Sequence, residues 1–264
     1  MAVFVLNLTR RVRWRLAAAA ALAAILIAVN LRAERPVIEV ETDIERQARP
    51  VITGSVKPLY SVSTQSNKVA LTFDISWGTV RPGPVLDVLQ RYNQKATFFL
   101  SGPWSERHPD IVRRIKAEGH DIQSHGQKHV DFSGLSKQGV QENILAADKI
   151  LQEAAGVKPT LIRPPNGDFN ETSVIAAHEV GYRTVIWSVD SLDWKNPGVD
   201  VIIRRVVEKS HPGDIILMHA SDSCKQTDTA LPAVLEGLKA KGLVPVTLPE
   251  LLQEARGENP RGIH

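Results

Sequence analysis

The chain has 264 residues, 43% apolar and 23% charged, the proportions of an ordinary globular protein with room for one large domain or two small ones. Its formal charge of +3 is unevenly placed: the first 33 residues carry five arginines and no acid, and without those five the remainder stands at −2. That leaves no basic footprint for nucleic acid, and a single cysteine, Cys224, is read as excluding both an intrachain disulfide and a thiolate metal site.

At the N-terminus, Thr9-Arg10-Arg11-Val12-Arg13-Trp14-Arg15 precedes fourteen apolar residues, Leu16 to Val29. A positive flank before an apolar run marks export, with the charge left on the cytoplasmic side. The run is short for a membrane span, which takes about 20 residues, yet no clean small-x-small cleavage site follows it. Residues 1–33 are therefore read as a signal-anchor or a signal peptide, with the body outside the cytoplasm. Residues 34–66 are polar and punctuated by Pro50 and Pro58, which predicts a linker with room for one short strand. The folded domain is set at 67–256, followed by a polar tail at 257–264.

From Lys68 the texture changes. Val69, Leu71 and Phe73 alternate toward Asp74, as in a strand, and Pro84 opens a helical pattern. Ala96–Leu100 precedes a helix near Asp110–Glu118, and Asp121–Gln123 precedes His125 and His129. A long helix is predicted over about Lys137–Ala155. Thr160–Ile162 leads to Arg163, with a helix near Glu171–Val180; Arg183–Trp187 leads to Asp190, with a helix after Pro197. Asp214–Met218 leads to His219, with a helix near Ala230–Ala240, and Val244–Thr247 is a last strand before a short helix. Seven strand-then-helix units predict an α/β fold, a distorted (β/α) barrel of about seven parallel strands in a single domain behind the N-terminal membrane segment. Closure is preferred over an open doubly wound sheet. Asp74, His125, Arg163, Asp193 and His219 all fall at or after strand ends, the rim where barrels build active sites.

The spacing of His125 and His129 is that of neighbours on one helical turn, so both rings reach a single cation. Imidazole suits zinc and its transition-metal neighbours. With carboxylates, an arginine and a third histidine, the set points to metal-assisted hydrolysis. Asp74 is the candidate base, kept ionised and oriented by Arg163. His219 is the candidate acid, kept cationic by Asp193. Asp190 is read as a loop cap and Cys224 as a small buried hydrophobe.

Five segments, in order, resemble the motifs of the polysaccharide deacetylase (NodB-homology) family of carbohydrate esterases. They are Thr72-Phe-Asp74, Ser124–His129, Arg163-Pro-Pro-Asn-Gly167, Asp190-Ser-Leu-Asp-Trp194 and Leu217-Met-His219, within a stretch from about Asn67 to Leu252. Thr72–Gly78 and His219–Ser223 look closest to the sporulation-associated subgroup. The resemblance implies removal of N-acetyl groups from aminosugars of a cell-wall polysaccharide, peptidoglycan or a chitin-like polymer. It implies a divalent cofactor, zinc with cobalt or nickel as alternatives, on His125 and His129. By motif position, Asn166 supplies a backbone N–H for the oxyanion and Trp194 a wall of the acetyl pocket; Trp77 is a further candidate for substrate contact. A monomer is expected.

One departure matters. The family's first motif has two adjacent aspartates, the second a metal ligand, and here that position is Ile75. Asp74 or Asp131 is a candidate to replace the missing ligand. Gly126 stands where Ser or Thr is usual. The rival reading is a wall-binding or spore structural protein with little catalysis.

Overall fold

The computed structural model describes residues 56–258. The expected signal-anchor, most of the expected linker and the tail from 259 lie outside the described residues. Among those described, no helix is long and apolar enough to cross a membrane.

Eight strands form one sheet: β1 (Lys68–Ile75), β2 (Thr97–Leu100), β3 (Asp121–Ser124), β4 (Leu161–Ile162), β5 (Arg183–Thr184), β6 (Val189–Asp190), β7 (Ile215–His219) and β8 (Val244–Val246). Every strand pair is parallel. The order is β5-β4-β3-β2-β1-β7-β6, with β8 beside the first residues of β1. β1 is buried along almost its whole length, as parallel sheets covered on both faces require.

Helices return the chain between strands: α1 (Pro82–Arg91), α2 (Gly102–Arg107), α3 (Pro109–Ala117), α4 (Lys137–Ala155), α5 (Glu171–Glu179), α6 (Val199–Lys209), α7 (Thr227–Ala240) and α8 (Leu248–Glu258). The long helix has its predicted bounds. Ser136 caps it by accepting from the Gly139 N–H, and Gly156 stops it at φ 60°. The short α2 escapes the pattern because Gly102-Pro103 reads as a break. Proline is nevertheless tolerated in a first turn, where its missing N–H has no partner to lose. The strand expected at Arg183–Trp187 is shorter, and β6 follows it as a separate two-residue strand.

The distorted barrel is present as a curled sheet, and the closed ring is corrected: β5 and β6, the ends of the path, are not paired with each other. Part of the segment expected as linker lies in that region instead. The Leu59 N–H donates to Thr184 O at 2.9 Å, and Leu59 O accepts from the Ile186 N–H at 2.8 Å. Ser61 bridges to Asp214, and the Val62 N–H donates to Gly213 O at 2.8 Å. Leu59 and Val62 are buried, so the packed body begins before residue 67.

Candidate active site

β1 and β7 run in register, which sets Asp74 beside His219 as paired residues at the same height. Arg163 follows β4, and its N–H bonds to Ser124 O at 3.0 Å at the end of β3. Each strand end thus delivers one reactive side chain to the same rim.

Asp74 is buried, and its Oδ1 accepts from the Arg163 guanidinium at 2.7 Å. The fully buried Arg163 also donates to Ile186 O at 3.1 Å and lies over the Phe99 ring at 4.1 Å. Burial works against the Asp74 carboxylate, but the Arg163 charge and the neighbouring imidazoles outweigh it and hold its pKa below the ordinary value. Oδ2 faces His125 Nε2 at 3.9 Å, beyond a direct hydrogen bond.

His125 Nδ1 lies 2.8 Å from Arg163 O. A carbonyl only accepts, so Nδ1 carries the proton and Nε2 keeps its lone pair. Burial pushes the pKa of His125 down to about 4, which leaves the ring neutral at pH 7. His129 is exposed at the rim, and its partial desolvation also lowers its pKa. The two rings are 5.3 Å apart, centroid to centroid.

The helical turn expected for this pair is corrected. Residues 125–131 form a loop, in which Gly126 takes φ +77°. The Asn143 side chain of α4 fastens that loop by accepting from the Gln127 and Lys128 N–H groups at 2.6 and 3.3 Å. A Cβ at Gly126 would come within 2.6 Å of Asn143 Oδ1, which explains glycine where the motif resemblance led one to expect Ser or Thr.

His219 Nδ1 lies 2.8 Å from Asp193 Oδ1, and its backbone N–H donates to Asp193 Oδ2 at 2.7 Å. Thr227 Oγ1 also donates to Oδ2, at 2.7 Å. Burial disfavours the imidazolium, but the Asp193 carboxylate more than compensates and raises the pKa of His219. Asp190 caps its loop as expected: Oδ1 accepts from the Leu192 N–H at 2.8 Å.

Asp74, His125, His129, His219, Asn166, Trp77 and Trp194 all line one cavity of about 380 Å³. Arg163 and Asp193 stand behind it as partners of Asp74 and His219. Trp77 and Trp194 are roughly half exposed rather than core, and Trp77 meets the His129 ring edge-on at 5.3 Å. Asn166 sits at φ 59°, a left-handed conformation that asparagine tolerates, and its amide donates to Asp131 Oδ1 at 2.8 Å. That bond and its absence from the cavity lining count against Asp131 as a replacement ligand. Cys224 is buried as expected, yet it too lines the cavity. Ser76, Trp187 and Ser221 line it as well and carried no sequence signal. Trp187 reaches its place because Gly167 has no side chain: a Cβ there would lie 2.5 Å from the indole. A larger cavity of about 700 Å³, lined by Thr160, Tyr182, Arg183 and Leu252 among others, receives none of these groups.

For a divalent metal, the residues present fit in part. Two neutral imidazoles are a donor pair for zinc or its neighbours, and Asp74 Oδ2 lies 3.9 Å from His125 Nε2, but Asp74, His125 and His129 do not bring their ligand atoms within 4.8 Å of one another. The Asp74 carboxylate has one oxygen outside the Arg163 contact. Ile75 offers nothing: its side chain is fully buried among Val85, Leu86 and Trp104 in the apolar core.

Residues 61–185 match the family model for polysaccharide deacetylase. A peptidoglycan-N-acetylglucosamine deacetylase of Bacillus cereus is 37% identical over 204 residues, covering 76% of this chain and 74% of that protein. The chain belongs to the polysaccharide deacetylase family. The uncharacterized protein YlxY of Bacillus subtilis is 34% identical, over 76% of this chain but only 62% of its own length. Among solved structures, BA3943 of Bacillus anthracis, described as a CE4 family pseudoenzyme, superposes with a TM-score of 0.72 at 30% identity, covering 78% of this chain and 73% of that one.

Proposed function

We propose that the protein is a divalent-metal-dependent deacetylase that removes N-acetyl groups from aminosugars of a cell-wall polysaccharide, peptidoglycan before chitin-like polymers. The observation that carries this reading is the convergence of two oppositely tuned pairs, Asp74–Arg163 and His219–Asp193, with both His125 and His129 on one cavity. His125 and His129, with Asp74 Oδ2 3.9 Å from the first of them, are the residues that would hold the metal, which when bound would polarise the amide carbonyl and acidify water. Asp74, ionised by Arg163, accepts the proton of the attacking water. His219, cationic beside Asp193, gives a proton to the leaving amine. Asn166 is assigned by its motif position to offer its backbone N–H to the oxyanion, and Trp77 and Trp194 to flank the sugar. Action outside the cytoplasm, with residues 1–33 as signal or anchor, fits both the charge pattern of the sequence and a wall substrate. The likeness of Thr72–Gly78 to a sporulation subgroup supports a role at that stage.

A second reading has its own support. With Ile75 in the core, Asp74 must serve as both base and ligand, and a carboxylate that coordinates loses basicity. Together with the likeness to a protein described as a pseudoenzyme, this favours a wall-binding protein with little turnover. Acetate release from peptidoglycan and chitooligosaccharides, with and without added zinc or cobalt, decides between them. Metal-stimulated acetate is expected; polymer that co-sediments with the protein but yields no acetate under either metal would establish the binder.

A further inference from the structure

Counting cysteines excludes a site built from several thiolates, but it does not exclude one thiolate among mixed ligands. The Cys224 sulfur, a His219 ring nitrogen and an Asp193 carboxylate oxygen lie within 4.8 Å of one another. Among the described residues, this is the triplet of His, Cys, Asp or Glu so arranged. It does not include His125 or His129. Asp193 and Cys224 are buried, while His219 and Cys224 both line the cavity, so two of the three ligands border the space open to solvent. Asp193 Oδ2 is taken by the His219 N–H and Thr227 Oγ–H, whereas Oδ1 meets the His219 ring alone. Sγ has only a 3.5 Å contact with Ser223 Oγ. One thiolate, one imidazole and one carboxylate, with solvent on the open side, form a mixed set suited to zinc or to the softer cadmium.

We propose that Asp193, His219 and Cys224 form a second cation site, distinct from the His125–His129 pair, which takes a thiophilic divalent ion in excess and stops turnover by occupying His219. As the metal–sulfur bond forms, the Cys224 thiol releases its proton to solvent. The His219 imidazolium likewise gives up a ring proton to solvent to free the lone pair that binds the ion, so the bound ring has no proton left to donate. The inhibitory half rests on the reading of His219 as acid; the binding half does not.

Because Cys224 is the chain's single cysteine, a sulfur-to-cadmium charge-transfer band reports this site and no other. The experiment is a titration of the full chain with cadmium, followed by ultraviolet absorption, alongside acetate release in excess zinc. One saturating equivalent of the thiolate band is expected in the native protein. It should be absent in Cys224→Ser, which preserves side-chain size, and in Cys224→Ala. His219→Ala should weaken the band's apparent affinity by about tenfold or more. No band at several equivalents overturns the site, and so does unchanged affinity in His219→Ala, which would mean a lone thiol. A saturated cadmium band accompanied by undiminished acetate release from the zinc-loaded protein at the same cadmium concentration keeps the site and overturns His219 as proton donor.

Discussion

Asp74 and His219 are paired on adjacent strands, both largely withdrawn from water, yet their partners drive them in opposite directions. For both, burial opposes the charged form. Arg163 overcomes it at Asp74 and keeps the carboxylate free of its proton, as the proposed base requires; Asp193 overcomes it at His219 and favours the protonated ring, as the proposed acid requires. One low-dielectric rim therefore supports both halves of a proton transfer, and the choice is made by residues that never meet the solvent.

The largest way to break this comparison is to remove the base. Asp74→Asn is expected to lower acetate release by about 10²- to 10⁴-fold, the usual worth of general acid–base catalysis, as read by an enzymatic acetate assay. Removing its partner instead, Arg163→Ala leaves a buried carboxylate uncompensated, and urea unfolding should show a loss of about 3–5 kcal/mol. Ile75→Asp probes the neighbouring strand position. It places a carboxylate among core side chains and is expected to lower the melting temperature of the metal-free protein. An unchanged melting temperature with increased acetate release would show that this strand end can turn its side chain to the ion.

On the acid side, the expected shift is smaller. Asp193→Asn withdraws the charge that raises His219, so the alkaline limb of the pH–rate profile should move to lower pH. If that limb stays in place, another group donates the proton. The same groups set how stability depends on pH. The lowered pKa of Asp74 contributes stability that is present above its ordinary 3.8 and lost as pH falls through the folded value. His125, pushed from 6.5 to about 4, costs stability as pH falls across that interval, because only the unfolded chain takes up the proton readily. His219 acts in the reverse sense: its contribution is complete below 6.5 and is lost as pH rises through its raised value. His120, which burial also pushes to about 4, acts in the same sense, so metal-free melting temperatures should decline between pH 6.5 and 4, and a flat profile would mean that neither ring is buried neutral.

Strand β1 and the positions of Asp74, Arg163 and His219 were legible because alternation and strand-end placement are local properties of the chain. That the two histidines share one place was legible, but their backbone conformation was not. A spacing of four suits a helix, yet Gly126 between the rings was the available sign of a positive-φ loop. Trp187 carried no signal, since its place depends on the space left by Gly167, and Cys224 was legible as buried but not as part of the cavity wall. Ile75 was half visible: the motif resemblance implies a carboxylate at that position, and only the packing shows the side chain committed to the core. Leu59 and Val62 were lost in a polar segment because their hydrogen-bond partners, Thr184, Ile186 and Gly213, lie more than a hundred positions downstream.

That segment carries a practical consequence. A sheet that stops short of closing leaves bare backbone along its margins, a template on which another polypeptide can add itself. Residues 59–62 act as a selvedge on this fabric, occupying amide and carbonyl groups next to β5 and ahead of β7. Trimming the protein at residue 67, where the motif-bearing stretch begins, would unpick that hem and leave a sticky border, although every reactive side chain would still be in place.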